Sequence, residues 1–346
     1  MRDAGNAEVA RWDELVVANP DGGQILQSRA WGEFKRSHRW MPRYLVSEAR
    51  PEIAVLMLRH AVPGLGELGY IPKGPGVAGV DQLGAVIDEL RQHAGRTFAV
   101  KVEPEIEQSD AAVAALRDIG LEKSRHDVQI SRATIIVDLG PDEDALLASF
   151  KPKCRYNIRL AQRHGVTVEP VPLDTATIDT MYELMASTRD RAGFTLRSKE
   201  YFSGYWRLHA AAEQGQLFFA SLDGVVLAGV YATYMGAKAW YKDGGSTKEH
   251  AAVMAPHLLQ WEVMRWLKRR GVTAYDLVAV PPADQLAPDH PLFGLYRFKS
   301  GFSERITEFV GTWDLPIRRS RYAAWDRVAE RAAHQWSYRV RHDLLY

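Results

Sequence analysis

Between Lys151 and His164 the chain carries Lys151, Lys153, Arg155, Arg159, Arg163 and His164 with no acid among them. Pro152 can occupy a first helical turn, where its missing N–H costs nothing. Gly165 supplies a helix stop. Arg155, Arg159 and Arg163 then fall at i, i+4 and i+8 and share one face. The net charge of the chain is only +1, so this is a local concentration suited to a polyanion, with salt-sensitive affinity. Most charge runs are solvated faces; the lack of any interrupting acid sets this one apart. Three other groupings suit phosphate or acyl chemistry. Trp31 and Lys35 lie one helical turn apart, and lysine is a flexible point charge for phosphate. Arg197 can grip phosphate with two parallel hydrogen bonds, and Tyr201 follows one turn on. Phe298-Lys299 places a cation beside an aromatic ring, a pair that in isolation is ordinarily structural. There is no Gly-x-Ser-x-Gly nucleophile elbow. The one cysteine, Cys154, rules out an internal disulfide and a cysteine-based zinc site, and no metal site is expected.

The elements that must hold these groups follow from periodicity. A length of 346 residues suits two domains, and the hydrophobic and charged fractions are those of a soluble globular chain. The first fourteen residues include acids and no apolar core, so no secretory signal is read, and no run reaches membrane-spanning length. A reducing, cytoplasmic location is expected. Helices are predicted at 7–18, 29–37, 81–94, 110–119, 175–190, 199–212 and 255–270, and strands at 43–47, 52–60, 67–71, 97–102, 135–139, 217–222, 225–235, 239–244 and 274–278. The order helix, helix, three strands, loop, helix, strand therefore occurs twice, over about 8–102 and 175–278. Lys299 is expected on a strand or turn.

The central stretch resembles the signature of the Fem family, the aminoacyl-tRNA-dependent peptidoglycan branching transferases, through Lys153, Arg155, Asn157, Ile158, Arg159, Ala161, Arg163, Gly165 and Val166. Further motifs follow in order. Gln27-Ser28-x-x-Trp31-x-x-x-Lys35, Tyr70-Ile71-Pro72-Lys73-Gly74-Pro75, Phe194-x-x-Arg197-x-x-x-Tyr201-Phe202 and Phe298-Lys299-x-x-Phe302 are all similar to family patterns. The resemblance implies an α/β (α+β) chain of two GNAT-like domains in tandem: 1–148, 149–317 beginning with the basic helix, and a C-terminal helical segment, 318–346, returning to the first. No heptad arm occurs between Tyr201 and Gly271, so the short, armless members are the ones resembled.

By the same resemblance, Trp31, Lys35, Tyr70, Lys73, Arg197, Tyr201 and Tyr241 bind the acceptor in a cleft between the repeats, with Lys35 and Arg197 on its diphosphate. Asp243 stands where the family often has a second aromatic. Lys151, Lys153, Arg155, Arg159 and Arg163 meet tRNA. Lys299 stabilises the oxyanion of an aminoacyl ester under attack by the stem-peptide amine, and Phe298 shapes the acyl end. The acceptor is UDP-MurNAc-pentapeptide or lipid II. Aminoacyl-tRNA is the co-substrate, no cofactor is needed, and a monomer touching the inner membrane face is expected. Asp243, Glu304 or the substrate itself serves as base. The loops 72–79 and 246–252 lack the glycine pattern that holds the pyrophosphate of acetyl-CoA. The alternatives are a GNAT-like N-acyltransferase, a Fem-like enzyme acting on a non-cell-wall peptide or metabolite, and a basic RNA-binding module without catalysis.

Overall fold

Two sheets, each of seven strands, organise the chain. A computed structural model describes residues 1–192, 196–341 and 345–346. It divides into a first unit, 1–132 with 308–346, and a second, 133–307.

The first unit contains strands β1 (Arg2–Asp3), β2 (Met41–Val46), β3 (Ala54–Val62), β4 (Gly66–Ile71), β5 (Thr97–Val102) and β6 (Glu122–Lys123). Its helices are α1 (Asn6–Ala10), α2 (Trp12–Val17), α3 (Arg29–Ser37), α4 (Val80–Gln92) and α5 (Asp110–Asp118). The second unit holds β7 (Ala133–Asp138), β8 (Thr167–Val171), β9 (Gly215–Leu222), β10 (Val225–Met235), β11 (Lys238–Ser246), β12 (Ala274–Asp276) and, at its end, β13 (Ile306–Glu308). Its helices are α6 (Glu143–Ser149), α7 (Pro152–Arg163), α8 (Thr175–Ala192), α9 (Lys199–Ala211), α10 (Ala255–Lys268) and α11 (Phe293–Lys299). Strand β14 (Trp313–Pro316) and helices α12 (Arg319–Ala324) and α13 (Glu330–Arg341) complete the first unit.

The first sheet runs β1-β2-β3-β4-β5-β14-β6 and the second β8-β9-β10-β11-β12-β7-β13. They correspond strand for strand. In each, four antiparallel strands are followed by one parallel neighbour, β5 beside β4 and β12 beside β11. In each, an antiparallel strand remote in sequence comes next: β14 on β5, and β7 on β12. This remote pairing corrects the domain limits read from sequence. Residues 133–148 lie with the second unit because β7 registers Ala274 against Asp138, and residues 308–317 lie with the first because β14 registers Trp313 against Val102.

Apolar periodicity explains the cores. In α4, Leu83, Val86, Ile87 and Leu90 are buried against Leu45, Val55, Val100 and Val102 of the first sheet. In α10, Leu258, Leu259, Val263, Met264 and Leu267 are buried with Val230, Ala232 and Tyr275 of the second. Gly245 of β11 admits the close passage of α8: a Cβ there would stand 2.4 Å from the Leu184 carbonyl carbon. The α12–α13 segment is tied to the first unit by Arg125 on Asp326, at 2.9 Å, and by Lys101 on Glu330, at 3.1 Å. Among the described residues no helix is long and apolar enough to cross a membrane.

Candidate functional site

Lys299 ends α11 rather than lying on a strand or turn, and it is 4% exposed. Tyr296 and Phe298 lie half-buried against the core of the second unit, so the short helix is fixed by its aromatic side. The Lys299 Nζ donates to the carbonyl oxygens of Val278, at 2.7 Å, and Ala279, at 3.1 Å. These carbonyls are aimed by an unusual backbone. Val278 and Ala279 have φ of 58° and 28°, a region that a β-branched residue adopts only under constraint. The constraint is visible: Leu277 N–H donates to Ile135, Val280 N–H donates to Ala133, and Val278 N–H donates to the Asp276 carboxylate at 2.6 Å. Thr134 Oγ1 donates to that same carboxylate oxygen. The Lys299 ammonium also lies 5.6 Å from the centre of the Tyr241 ring.

Among the described residues no carboxylate comes within ion-pairing distance of Lys299 Nζ. Burial therefore pulls its pKa down to about 7, a fall that the more distant Asp276 only partly opposes. An ammonium has three donors. Two are taken by carbonyls, and one remains.

Phe298 packs edge-on against His257 at 5.1 Å and against Phe302 at 5.4 Å. His257 Nε2 stands 3.2 Å from the Asn157 amide nitrogen of the basic helix α7. Burial, then the nearby Lys153, push the His257 pKa down to about 4, so the ring is neutral at physiological pH and Nε2 can accept from Asn157. Nothing in the spacing of the sequence singled out His257 or the carbonyls of Val278 and Ala279, because each matters through a partner remote in the chain.

The basic helix is placed as expected between Pro152 and Arg163, with Gly165 at φ +80° past its end. Its cations do not act alike. Arg155 turns back to donate to the carbonyls of Ala148, at 2.9 Å, and Phe150, at 2.5 Å, closing the end of α6. Lys151 pairs with Glu304 at 2.8 Å, so an acid remote in sequence does reach the run. Lys153, Arg159 and Arg163 are exposed. Tyr156, 47% exposed, lies among them, with Lys153 at 4.5 Å and Arg163 at 5.8 Å from its ring. The outward cationic face of the helix is therefore made by Lys153, Tyr156, Arg159 and Arg163.

Arg197 stacks on Tyr201, its guanidinium 4.2 Å from the ring centre. Ser198 caps α9 by accepting from the Tyr201 N–H, and the Tyr182 hydroxyl donates to the Arg197 carbonyl at 3.1 Å. Gly193 and Phe194 of the same motif lie outside the described residues. Tyr241 lies within β11, which continues to Ser246 past an irregularity in its pairing between Tyr241 and Asp243. Asp243 is buried and accepts from the Trp206 indole at 2.8 Å.

In the first unit Trp31 and Lys35 both lie on the inner face of α3, with the ammonium 5.4 Å from the indole centre. Lys35 is buried. The Tyr70 hydroxyl donates to Glu103 at 2.6 Å, and Gln129 donates to both. Lys73, at φ 48°, reaches Glu105 at 3.5 Å and lies over Phe309. Thr312 completes the Glu103 cluster at 2.8 Å. Among the described residues no group of histidine, cysteine or carboxylate side chains could hold a metal ion.

Comparisons with known proteins bear on this arrangement. A model for an acetyltransferase (GNAT) domain matches residues 148–300. The lipid II:glycine glycyltransferase of Staphylococcus aureus strain MRSA252 is 24% identical over 401 aligned positions, covering 92% of this chain and 94% of that protein. The alignment is longer than the chain's 346 residues, so that relative has residues without a counterpart here. A crystal structure of FemX matches with a TM-score of 0.82 over 94% of this chain and 100% of that one, at 22% identity. The structure of L-PGS from Bacillus licheniformis matches at 0.52 over 96% and 97%, at 14% identity. These likenesses establish the fold, two GNAT-like units in tandem. The model of the FemAB family matches residues 12–223, more than half the chain and all of the basic helix, and the chain belongs to that family.

Proposed function

We propose that the chain transfers an amino acid from aminoacyl-tRNA to the side-chain amine of a peptidoglycan-precursor stem peptide, carried on lipid II or UDP-MurNAc. Family membership supports the class of reaction, and the Staphylococcus aureus relatives named lipid II:glycine glycyltransferase support the acceptor. The observation that carries the chemistry is Lys299, buried, held on two carbonyls and left with one donor. Aminoacyl esters are already activated, so the protein needs to supply proximity and a stabilised oxyanion, not a nucleophile. The amine attacks the ester carbonyl, and the remaining Lys299 N–H donates to the developing oxyanion. The carbon–oxygen bond to the ribose then breaks, and the ribose oxygen leaves with the proton lost by the amine. Phe298, braced by His257, walls the aminoacyl end. Asp243 is engaged by Trp206 and Glu304 by Lys151, so the substrate's own groups are read as the base.

Lys153, Tyr156, Arg159 and Arg163 are assigned to the tRNA backbone. Trp31, Lys35, Tyr70, Lys73, Arg197, Tyr201 and Tyr241 are assigned to the acceptor. No cofactor is invoked, and the chain is read as a cytoplasmic monomer that meets the membrane only at its surface. The test is transfer of labelled amino acid from charged tRNA to UDP-MurNAc-pentapeptide or lipid II. A label that becomes stable to mild base has moved from ester to amide and supports the reading. No transfer from any charged tRNA to either acceptor refutes it. The match to an acetyltransferase (GNAT) model favours a second reading, acyl transfer from CoA; saturable acetyl-CoA binding would support that one instead.

A further inference from the structure

Residues 318–341, formed by α12, the π-turn Trp325–Ala329 and α13, contain seven arginines and two acids. Both acids are taken up by the first unit. Asp326 binds Arg125 at 2.9 Å, and Glu330 is buried against Lys101 at 3.1 Å. Tyr322, Trp325 and Ser337 are buried as well, so one side of the segment belongs to the core. The other side is solvent-facing and carries Arg327, Arg331 and Arg339. Among the described residues none of these three has an acid within ion-pairing distance. Set among them are Val328, 69% exposed, and Trp336, 51% exposed, with the exposed Ala332 between.

Single exposed hydrophobes are ordinary. Two large ones among arginines that have no acid partner among the described residues form a pattern of their own. RNA would use the arginines but gains nothing from Val328. An aliphatic side chain held in water is compensated only where the facing surface is apolar. Arginines with an aliphatic residue and a tryptophan along one helix face suit the boundary between phospholipid headgroups and acyl chains. There the arginine stems extend to the headgroups while the apolar groups sink below them. We propose that the face made by Val328, Trp336, Arg327, Arg331 and Arg339 docks on an anionic phospholipid surface with the helices lying in its plane. The docking rests on the reading that the chain meets the membrane at its surface and names the face that does so; its test needs neither substrate, so it can fail while the transfer reading stands.

The test is sedimentation of the full chain with phosphatidylcholine vesicles prepared with and without phosphatidylglycerol. Binding to the anionic vesicles, weakening steeply with salt, is expected. Replacing Arg327, Arg331 and Arg339 together by Gln should weaken it by roughly 100-fold, about a factor of five for each charge near an anionic surface. Val328→Ser with Trp336→Ser should weaken it by about tenfold while leaving the charge intact. Binding of tRNA should be unchanged in both variants, because none of the five residues lies on the basic helix α7, and the arginine variant should keep its melting temperature, because Arg327, Arg331 and Arg339 are exposed. Three results overturn the proposal: failure of the wild type to sediment, a serine variant that binds vesicles as the wild type does, or parallel loss of tRNA and vesicle binding in the arginine variant.

Discussion

Replacing Lys299 by methionine keeps the length of the buried stem and removes the amine. The amine is held at a pKa of about 7, against an ordinary 10.5, because it is buried with no carboxylate in contact among the described residues and only a partial offset from Asp276. A lysine whose folded pKa is lowered costs stability, and that cost is full at and below pH 7, where it must be ionised in a dry site. As pH rises from 7 toward 10.5 the folded chain has shed the proton and the unfolded chain still binds it, so stability rises through that window. Each pH unit inside the window is worth about 1.4 kcal/mol. Wild type should therefore gain about 2 kcal/mol on Lys299→Met between pH 7 and pH 9. Urea unfolding of both proteins at several pH values measures this, and the difference between the curves cancels every other titrating group. In transfer, loss of one oxyanion donor should lower the rate by about 100- to 1000-fold. The loss should appear in turnover more than in binding, and single-turnover transfer resolves it. A stability difference that stays flat from pH 7 to 9 would mean the amine is solvated, and near-wild-type single turnover in a folded variant would remove Lys299 from the mechanism.

Charge reversal of Lys153, Arg159 and Arg163 to Glu should raise the KM for aminoacyl-tRNA and leave that for the acceptor alone; equal loss on both substrates would mean a damaged fold. Arg155→Ala should behave differently, lowering stability by about 1 kcal/mol through the lost cap of α6 with tRNA affinity unchanged. Lys35→Ala and Arg197→Ala should each weaken the acceptor by about 1.5–3 kcal/mol, measured by titration with a UDP-MurNAc-peptide, and unchanged affinity in both removes the assignment. Lys101→Met should destabilise the fold by about 3–5 kcal/mol, because Asp314 and Glu330 would be left buried without their cation; a loss below about 1 kcal/mol in urea unfolding would contradict that accounting.

Most of the elements were legible because their periodicity is local. Leu83, Val86, Ile87 and Leu90 announce α4, and Pro152 with Gly165 bounds the basic helix within a few residues of sequence. The domain limits were not legible, because β7 and β14 each pair with a strand far away in the chain and carry no local mark of it. The site divides in the same way. Phe298-Lys299 and the arginines of α7 stand out as residue types at spacings. The use of Arg155 as a cap depends instead on where α6 ends, and the occupation of Lys151 by Glu304 depends on a contact between segments remote in sequence. Helical placement of Lys299 was missed because Gly294 and the aromatic residues around it give α11 weak local propensity, and Tyr296 and Phe298 acquire their packing only from the second core.

Burial alone does not make a lysine functional, and the chain contains its own control. Lys101, on β5, is 2% exposed, comparable with Lys299. Its ammonium lies 3.0 Å from Asp314 and 3.1 Å from Glu330, and it also donates to Ser124. Burial pulls its pKa down, but Asp314 and then Glu330 pull harder the other way, and the net direction is up. Such a cation is locked in its charged form; its donors are spoken for and its removal strands two carboxylates. Lys299 has been given the same burial without the carboxylates, and its pKa moves in the opposite direction. Two backbone carbonyls in a strained turn hold it in place without neutralising it. A buried lysine kept near neutrality, with a donor in reserve, costs the fold stability that a methionine would not. That cost is intelligible if the amine answers a charge that is present only during reaction, and it is on the difference between these two lysines, not the burial they share, that the role proposed for Lys299 rests.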